Sequence, residues 1–470
     1  VVVPRLMQSV LAGKVRSAIG SGAVSLSGPA YLMQLALGVA LLGMCVWVIV
    51  LRLAHLPNRG RAPLVLTLLP WAYMLLRDLF VPVRPQLAVW FYPFLFVAIW
   101  ALQPRLKVLA MVGRLTGWVA GLCIALAILL PSSGLMFSGN GDVITVDKQI
   151  LPWGILVGMF GQGNSLGQFL VLGLPAVFLI PRQFTRYVFV MLTVFALTWS
   201  ASRGAFVAGG IALVAVGITA WTPRPGRRVV VGLCSIVMLA VVVMLPFLTT
   251  DLEAFTNRGL IWIYSIRWWQ DAPWTGLGSN WYSVVGGTSA RLAGSAFHAH
   301  NQAIQLLVTG GVVLAALALL QFSVLTTSVA RLAETGRLVG VGYLMTLGGT
   351  FVLERTLTYT DNTGMLPTVL VPIALLLFAH EHQVAYRGED NSRYGGNLGH
   401  QVEGLAPVLL HVPSNQRLQQ SDRGRDISLA AGAQRWLVPE RAPNGPTQSP
   451  PDSHTGVEQQ RTTNTDATTR

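Results

Sequence analysis

A chain of 470 residues that is 53% hydrophobic and only 11% charged cannot cover a water-exposed surface, because soluble domains carry about 25% charged residues. Its net charge of +14 and isoelectric point near 10.4 do not make it a nucleic-acid binder, since no basic soluble domain carries the excess. Residues 381–470 hold nine Arg against ten Asp and Glu, which leaves 24 of the 33 basic and 9 of the 19 acidic residues to the first 380. An excess placed in an apolar body is explained by the Lys and Arg of cytoplasmic loops and by cationic partners for anionic lipids.

In chain order, residues 1–29 form an N-terminal segment that reads as an interfacial helix or a partial span. Apolar runs of membrane-spanning length then recur near 31–53, 63–80, 87–103, 109–131, 165–181, 184–200, 205–221, 229–248, 303–329, 339–355 and 364–380. The expectation is an all-α polytopic integral membrane protein of 11–12 transmembrane helices over residues 30–380. Residues 381–470, rich in Gly, Pro, Gln, Ser, Thr and Asn, lack the apolar content to bury a core and read as a disordered cytoplasmic tail.

Basic residues set the orientation. The group Arg105, Lys107 and Arg114, the pair Arg182 and Arg186, the group Arg224, Arg227 and Arg228, and the pair Arg331 and Arg337 all fit the cytoplasmic side. The segments 132–153, 249–302 and 356–363, and the turn at Arg203, then face outward, and the tail ends inside. Eleven spans place residue 1 outside, against the preference of Arg5, Lys14 and Arg16. A further span, a short start (the chain opens Val-Val-Val without Met) or a surface-lying helix would each resolve this. Cys45, Cys123 and Cys234 all fall in apolar runs with no ligand spacing, so neither a disulfide nor a zinc site is expected.

The outer segment 249–302 is the longest polar interval in the body and holds Trp262, Trp268, Trp269, Trp274 and Trp281, aromatics suited to a membrane–water interface. Leu260 to Trp269 has amphipathic, helical patterning, and Pro273 to Asn280 breaks it into a turn. The interval closes on His298-Ala299-His300-Asn301. Polar, ionisable groups gathered at a membrane boundary are costly and mark function. Two histidines two apart point to opposite faces of an extended strand, so one of them serves a single reaction centre. Asn301 is a good N-cap and would fix His300 at a helix N-terminus, where imidazole stays neutral and available as a base. No carboxylate lies between residues 272 and 333, so no metal is expected at the pair. Arg203, between two apolar runs on the outer side, defies the inside preference and calls for an anionic ligand, its fork suiting phosphate, or for an ion pair with Asp251 or Glu253. Arg258, Arg291 and Arg267 could complete a positive pocket, with Arg267 the one best explained as helix surface. Glu354 and Arg355, near the outer end of a span, could belong to the pocket or pair with each other, and the structural pair is the preferred reading.

Four segments in this order resemble the bacterial O-antigen ligase and Wzy-type polymerase superfamily. They are Phe160-Gly161-Gln162-Gly163-Asn164-Ser165-Leu166; Ser200-Ala201-Ser202-Arg203-Gly204; Asn257-Arg258-Gly259 with Trp262, Pro273 and Gly276-Leu277-Gly278; and His298 to Asn301 followed by Leu306-Leu307 and Gly310-Gly311. The resemblance covers about residues 30–380. Thr309 departs from the pattern, in which relatives often carry Glu ahead of a single Gly. It implies a GT-C-like glycosyltransferase of the cytoplasmic membrane with a long helical extracytoplasmic loop. The implied donor is an undecaprenyl-diphosphate-linked glycan, the acceptor a glycan, lipid or protein, and no metal or other cofactor is needed. By the same resemblance Arg203 and Arg258 hold the diphosphate, His300 is the base and His298 its neighbour, with Asn301 in support. Attack opposite the leaving group would invert the anomeric centre. Repeat-unit polymerisation uses the same donor and chemistry. A lipid-linked sugar transporter is the reading from a different class, and it would favour paired broken helices in two halves of the chain.

Overall fold

The computed structural model describes residues 2–11, 26, 28–58, 60–80, 87–136, 149–288, 298–360 and 364–379. The described chain is almost entirely helical: α1 Val2–Leu11, α2 Gly28–Arg52, α3 Arg61–Asp78, α4 Ala88–Leu102, α5 Leu109–Leu129, α6 Pro131–Gly134, α7 Gly163–Val177 and α8 Gln183–Trp199. There follow α9 Arg203–Trp221, α10 Arg224–Leu248, α11 Ala254–Asp271, α12 Trp281–Thr288, α13 Gln302–Glu334, α14 Val339–Leu353 and α15 Leu370–Phe378. The proposed tail and Arg291 lie outside the described residues.

Each of the eleven expected apolar segments contains a helix, but lengths differ. Among the described residues five helices are long and apolar enough to cross a membrane: Gly28–His55, Leu106–Leu129, Arg203–Trp221, Arg224–Leu248 and Gln302–Glu334. Most of the others are shorter because the apolar runs also counted turns, while α3, with 18 residues, is less apolar; residues 364–369, expected in the last span, are turn, and α15 keeps only nine residues. At the N-terminus α1 has ten residues and packs on α2, too short to span alone. Large apolar side chains point outward from the long helices, such as Trp47, Leu213 and Ile236 at 63%, 72% and 65% exposure. Such a surface is stable in lipid and not in water, so the chain is a multi-pass membrane protein.

Two features place the site. The first is non-helical backbone buried inside the bundle, where protein rather than lipid meets its polar groups. Residues Ile155 to Met159 are buried; Leu156 N–H donates to Trp199 C=O, and Val157 and Gly158 N–H donate to Gly134 C=O. The second is a break in α13 at Gly311, whose φ of 67° is open to glycine without strain. The turn after α11 enters that break. Leu277 and Gly278 N–H donate to the carbonyls of Val308 and Thr309, and Val312 and Val313 N–H donate to those of Pro273 and Trp274. Arg77, at the end of α3, donates to the Thr275 and Gly276 carbonyls, and Asp78 accepts from the backbone and hydroxyl of Ser279. Residues 273–279 and the start of α13 are thereby one hydrogen-bonded body.

Candidate active site

The carboxylate of Glu354 collects the site around it. α14 ends at Leu353 and the chain runs on extended, with Glu354 at φ −145°, ψ 155°. Its Oε1 lies 2.6 Å from Arg258 Nη2. Its Oε2 lies 3.5 Å from His300 Nδ1 and 3.9 Å from His298 Nε2. Asn164 Nδ2, in the first turn of α7, approaches Oε1 at 3.5 Å. The side chains of Arg258, His298, His300 and Glu354 are 12–15% exposed, so their charges interact in a partly dry setting.

Local backbone explains each placement. Phe255, Thr256 and Asn257 have left-handed φ of 54°, 63° and 65°, so regular α11 begins at Arg258. A Cβ on Gly259 would strike the Asp251 carbonyl oxygen, which accounts for the glycine after Arg258. One turn later Trp262 is fully buried, and its Nε1–H donates to Ala299 C=O at 2.9 Å. Trp262 is therefore not part of an interfacial cover; it ties the outer helix to the histidine segment. Gly167 of α7 packs on Ser202, and Gly204 faces Leu353, so the segments around Asn164 and Arg203 meet the end of α14.

The two histidines do not point apart as an extended strand predicts. His300 adopts φ 50° and its N–H donates to His298 Nδ1 at 3.0 Å, a turn that brings the rings to a centroid distance of 3.9 Å. Asn301 then caps α13, its Oδ1 accepting from Ile304 N–H at 3.0 Å, as its residue type predicts. Burial, followed by the charges on His300, Arg355 and Arg258, holds His298 well below the ordinary imidazole range. Burial pushes the Glu354 carboxyl up, but Arg258 and the hydrogen bond from His300 pull it further down, leaving it below its ordinary value.

The remaining expected residues distribute as follows. Arg203 opens α9, is exposed, and is joined through Gly204 to the residue before Glu354. Arg267 lies nine residues beyond Arg258, the opposite side of a helix at 3.6 residues per turn. It is exposed, with its guanidinium over Tyr264 at 5.7 Å, and so decorates helix surface. Asp251 Oδ1 accepts from Glu253 N–H at 2.9 Å. Glu354 was read as a structural partner of Arg355; its carboxylate instead meets Arg258. Its second oxygen, Oε2, faces the two histidines. An acid at the end of an apolar run was the available signal. Glu354 also supplies the carboxylate missing near the histidines in sequence. One ligand atom each from His298, His300 and Glu354 falls within 4.8 Å of the others, a set able to hold a metal ion, although Arg258 already occupies Oε1.

Beneath the site lies an apolar cavity of about 340 Å³ lined by Val242, Gln302, Leu306, Phe322, Phe351 and Leu357 among others. It adjoins the site through Asn301, whose Nδ2 donates to Val242 C=O and Val352 C=O.

Residues 188–319 match a family model described as Wzy_C, O-Antigen ligase. The match begins in α8 and ends within α13, and includes Arg203, Arg258, His298 and His300 but neither Asn164 nor Glu354. The matched part of the chain is thus similar to that family, and the match supports the resemblance to the Wzy-type O-antigen ligase and polymerase superfamily. No curated protein matches the chain significantly.

Proposed function

We propose that the protein is an O-antigen ligase-like glycosyltransferase, moving a glycan from an undecaprenyl-diphosphate carrier to an acceptor hydroxyl at the extracytoplasmic end of its helices. One observation carries the proposal. Three of the four sequence segments that set the resemblance, far apart in the chain, meet at Glu354, through Asn164 at 3.5 Å, Arg258 at 2.6 Å and His300 at 3.5 Å, and the fourth packs on Leu353 through Gly204.

The chemistry follows from the groups present. A sugar hydroxyl becomes a competent nucleophile as a base takes its proton. With the Nδ1 proton of His300 facing Glu354, the lone pair lies on Nε2, which accepts that proton. The carboxylate then stabilises the imidazolium and holds the ring's orientation. As the anomeric C–O bond breaks, negative charge gathers on the diphosphate. Glu354 is bonded to Nη2 of Arg258, and the rest of that five-donor fork, with Arg203, serves the leaving oxygens. The apolar cavity next to Asn301 suits the lipid chain of the donor. Attack from the face opposite the diphosphate inverts the anomeric centre. Charge stabilisation by arginine and proton transfer by imidazole leave no step for a metal ion. Ligation is preferred here to polymerisation because the matched family is an O-antigen ligase family.

The test is transfer by the purified protein from a synthetic undecaprenyl-diphosphate oligosaccharide to candidate acceptors in the presence of EDTA. A single addition to a foreign acceptor is expected, with activity lost in Arg258→Ala and Arg203→Ala. A ladder of repeat units would make the enzyme a polymerase. Native rates in either arginine variant would overturn the site.

A further inference from the structure

We infer that Gln302 is a positioning residue that sets the distance between the histidine pair and Glu354. The inference rests on the site reading above and adds a residue to it. Gln302 is 3% exposed. Its Oε1 accepts from the backbone N–H of both Thr356 and Leu357 at 3.0 Å, and its Nε2–H donates to Leu357 C=O at 2.8 Å. One amide thus binds the extended segment two and three residues beyond Glu354 as a neighbouring strand would. The preceding amide, Asn301, donates to Val352 C=O at 3.0 Å, two residues before Glu354. Consecutive side chains therefore bracket Glu354 on both sides.

The bracket closes a short ring. From His300 the path runs through Asn301 and the Gln302 amide to Thr356, back through Arg355 to Glu354, and across 3.5 Å to His300. Apart from that gap and the hydrogen bond between Thr356 N–H and Gln302 Oε1, every link in the ring is covalent. α7 reinforces it: Gln168 Nε2–H donates to Thr356 Oγ1 at 2.6 Å, one helical turn below Asn164. Thr356 Oγ1 in turn donates to Thr350 Oγ1 at 2.9 Å. Releasing Gln302 frees the segment after Glu354 while the ion pair with Arg258 and the cap at Asn301 persist. The carboxylate then turns with Arg258 and away from the imidazole. Misplacement by about 1 Å away from the reacting atoms is enough to cost about 100-fold in rate.

Gln302→Leu and Gln302→Glu are compared with the native protein in the purified transfer assay. Gln302→Leu removes all three bonds and is expected to lower kcat about 100-fold with donor KM nearly unchanged. Gln302→Glu reproduces the native pattern when its carboxyl carries a proton, since only then does it donate to Leu357 C=O. Buried carboxyls gain that proton at unusually high pH. The rate of this variant relative to native should therefore rise as pH falls from about 8.5 to about 6. The direct partners of the amide carry no charge. If Gln302→Leu does not fold, the ratio for Gln302→Glu decides alone. A native kcat in Gln302→Leu, or a pH-independent ratio in Gln302→Glu, overturns the inference. Inactive Arg258→Ala beside a pH-independent Gln302→Glu removes the positioning role only, whereas active Arg258→Ala removes the site reading itself.

Discussion

Glu354→Gln keeps the shape of the side chain and deletes its charge, so it isolates what the carboxylate does. In the native protein the ion pair spans 2.6 Å between side chains 13% and 15% exposed. Breaking one partner of a buried pair costs about 3–5 kcal/mol, because the remaining charge is left without compensation. Residual exposure of Arg258 puts the expected loss near the lower end, at about 3 kcal/mol. The kinetic effect should be larger than the loss of folded protein. An orienting carboxylate beside a catalytic imidazole contributes up to about 10⁴-fold in a serine hydrolase, and general-base catalysis as a whole about 10²–10⁴-fold. We expect kcat to fall ~10³-fold in Glu354→Gln, with the protein still monodisperse in detergent. Arg258→Ala should fall by a similar factor. Groups acting as a unit are not additive, so the double variant should also lose ~10³-fold rather than ~10⁶-fold. The assay is initial-rate transfer to a labelled acceptor, normalised to folded protein. Activity within about threefold of native in Glu354→Gln, or multiplicative losses in the double variant, would refute a shared role for the pair.

Gly259→Ala drives a methyl group into the Asp251 carbonyl; displacing the turn before Arg258 should lower the melting temperature and abolish transfer together. Trp262→Phe removes the donor to the Ala299 carbonyl, for which a melting-curve loss of about 1–3 kcal/mol is expected, with a several-fold lower kcat. His298 is held well below the ordinary imidazole range chiefly by burial. The unfolded chain therefore binds a proton there before the folded one does, and stability should fall as pH drops below about 6.5. His298→Gln should flatten that decline between about pH 6.5 and 5 in thermal melts. Glu354, held low, contributes stability that persists at neutral pH and is lost only below the usual carboxylate range. EDTA should leave the rate unchanged, whereas Zn²⁺ should inhibit by capturing the lone pairs of the His298, His300 and Glu354 set; dependence on added metal would contradict the proposed chemistry.

The helices were legible because membrane apolar runs are long, and the caps because Asn301 and the prolines announce themselves chemically. The helix over 260–269 was marked by amphipathic patterning, whereas the break at Gly311 fell inside a run, 303–329, that reads as one continuous span. The partner of Arg258 was not legible. Glu354 lies 96 residues away, in an end-of-helix position where an adjacent arginine offers a simpler pairing by sequence. The shared face of His298 and His300 was equally hidden, because a left-handed φ at a histidine leaves no mark in residue type. Trp262 looked like its exposed neighbours; only tertiary packing distinguishes the buried tryptophan from Trp274, which is 68% exposed.

These hidden contacts share one physical cause. In lipid a polar group without a partner costs several kcal/mol, so each break in a helix must be answered by another part of the chain. The break in α13 is answered by the turn at 273–278, the end of α14 by the Gln302 amide, and the Ala299 carbonyl by Trp262. Two of these answers act directly on the site: the Gln302 amide holds the segment after Glu354, and Trp262 holds the segment of His298 and His300 beside Arg258. The need to satisfy backbone inside the bundle is what assembles the site, and conservative changes at amides and glycines remote from the reacting atoms should therefore damage rate more than donor affinity.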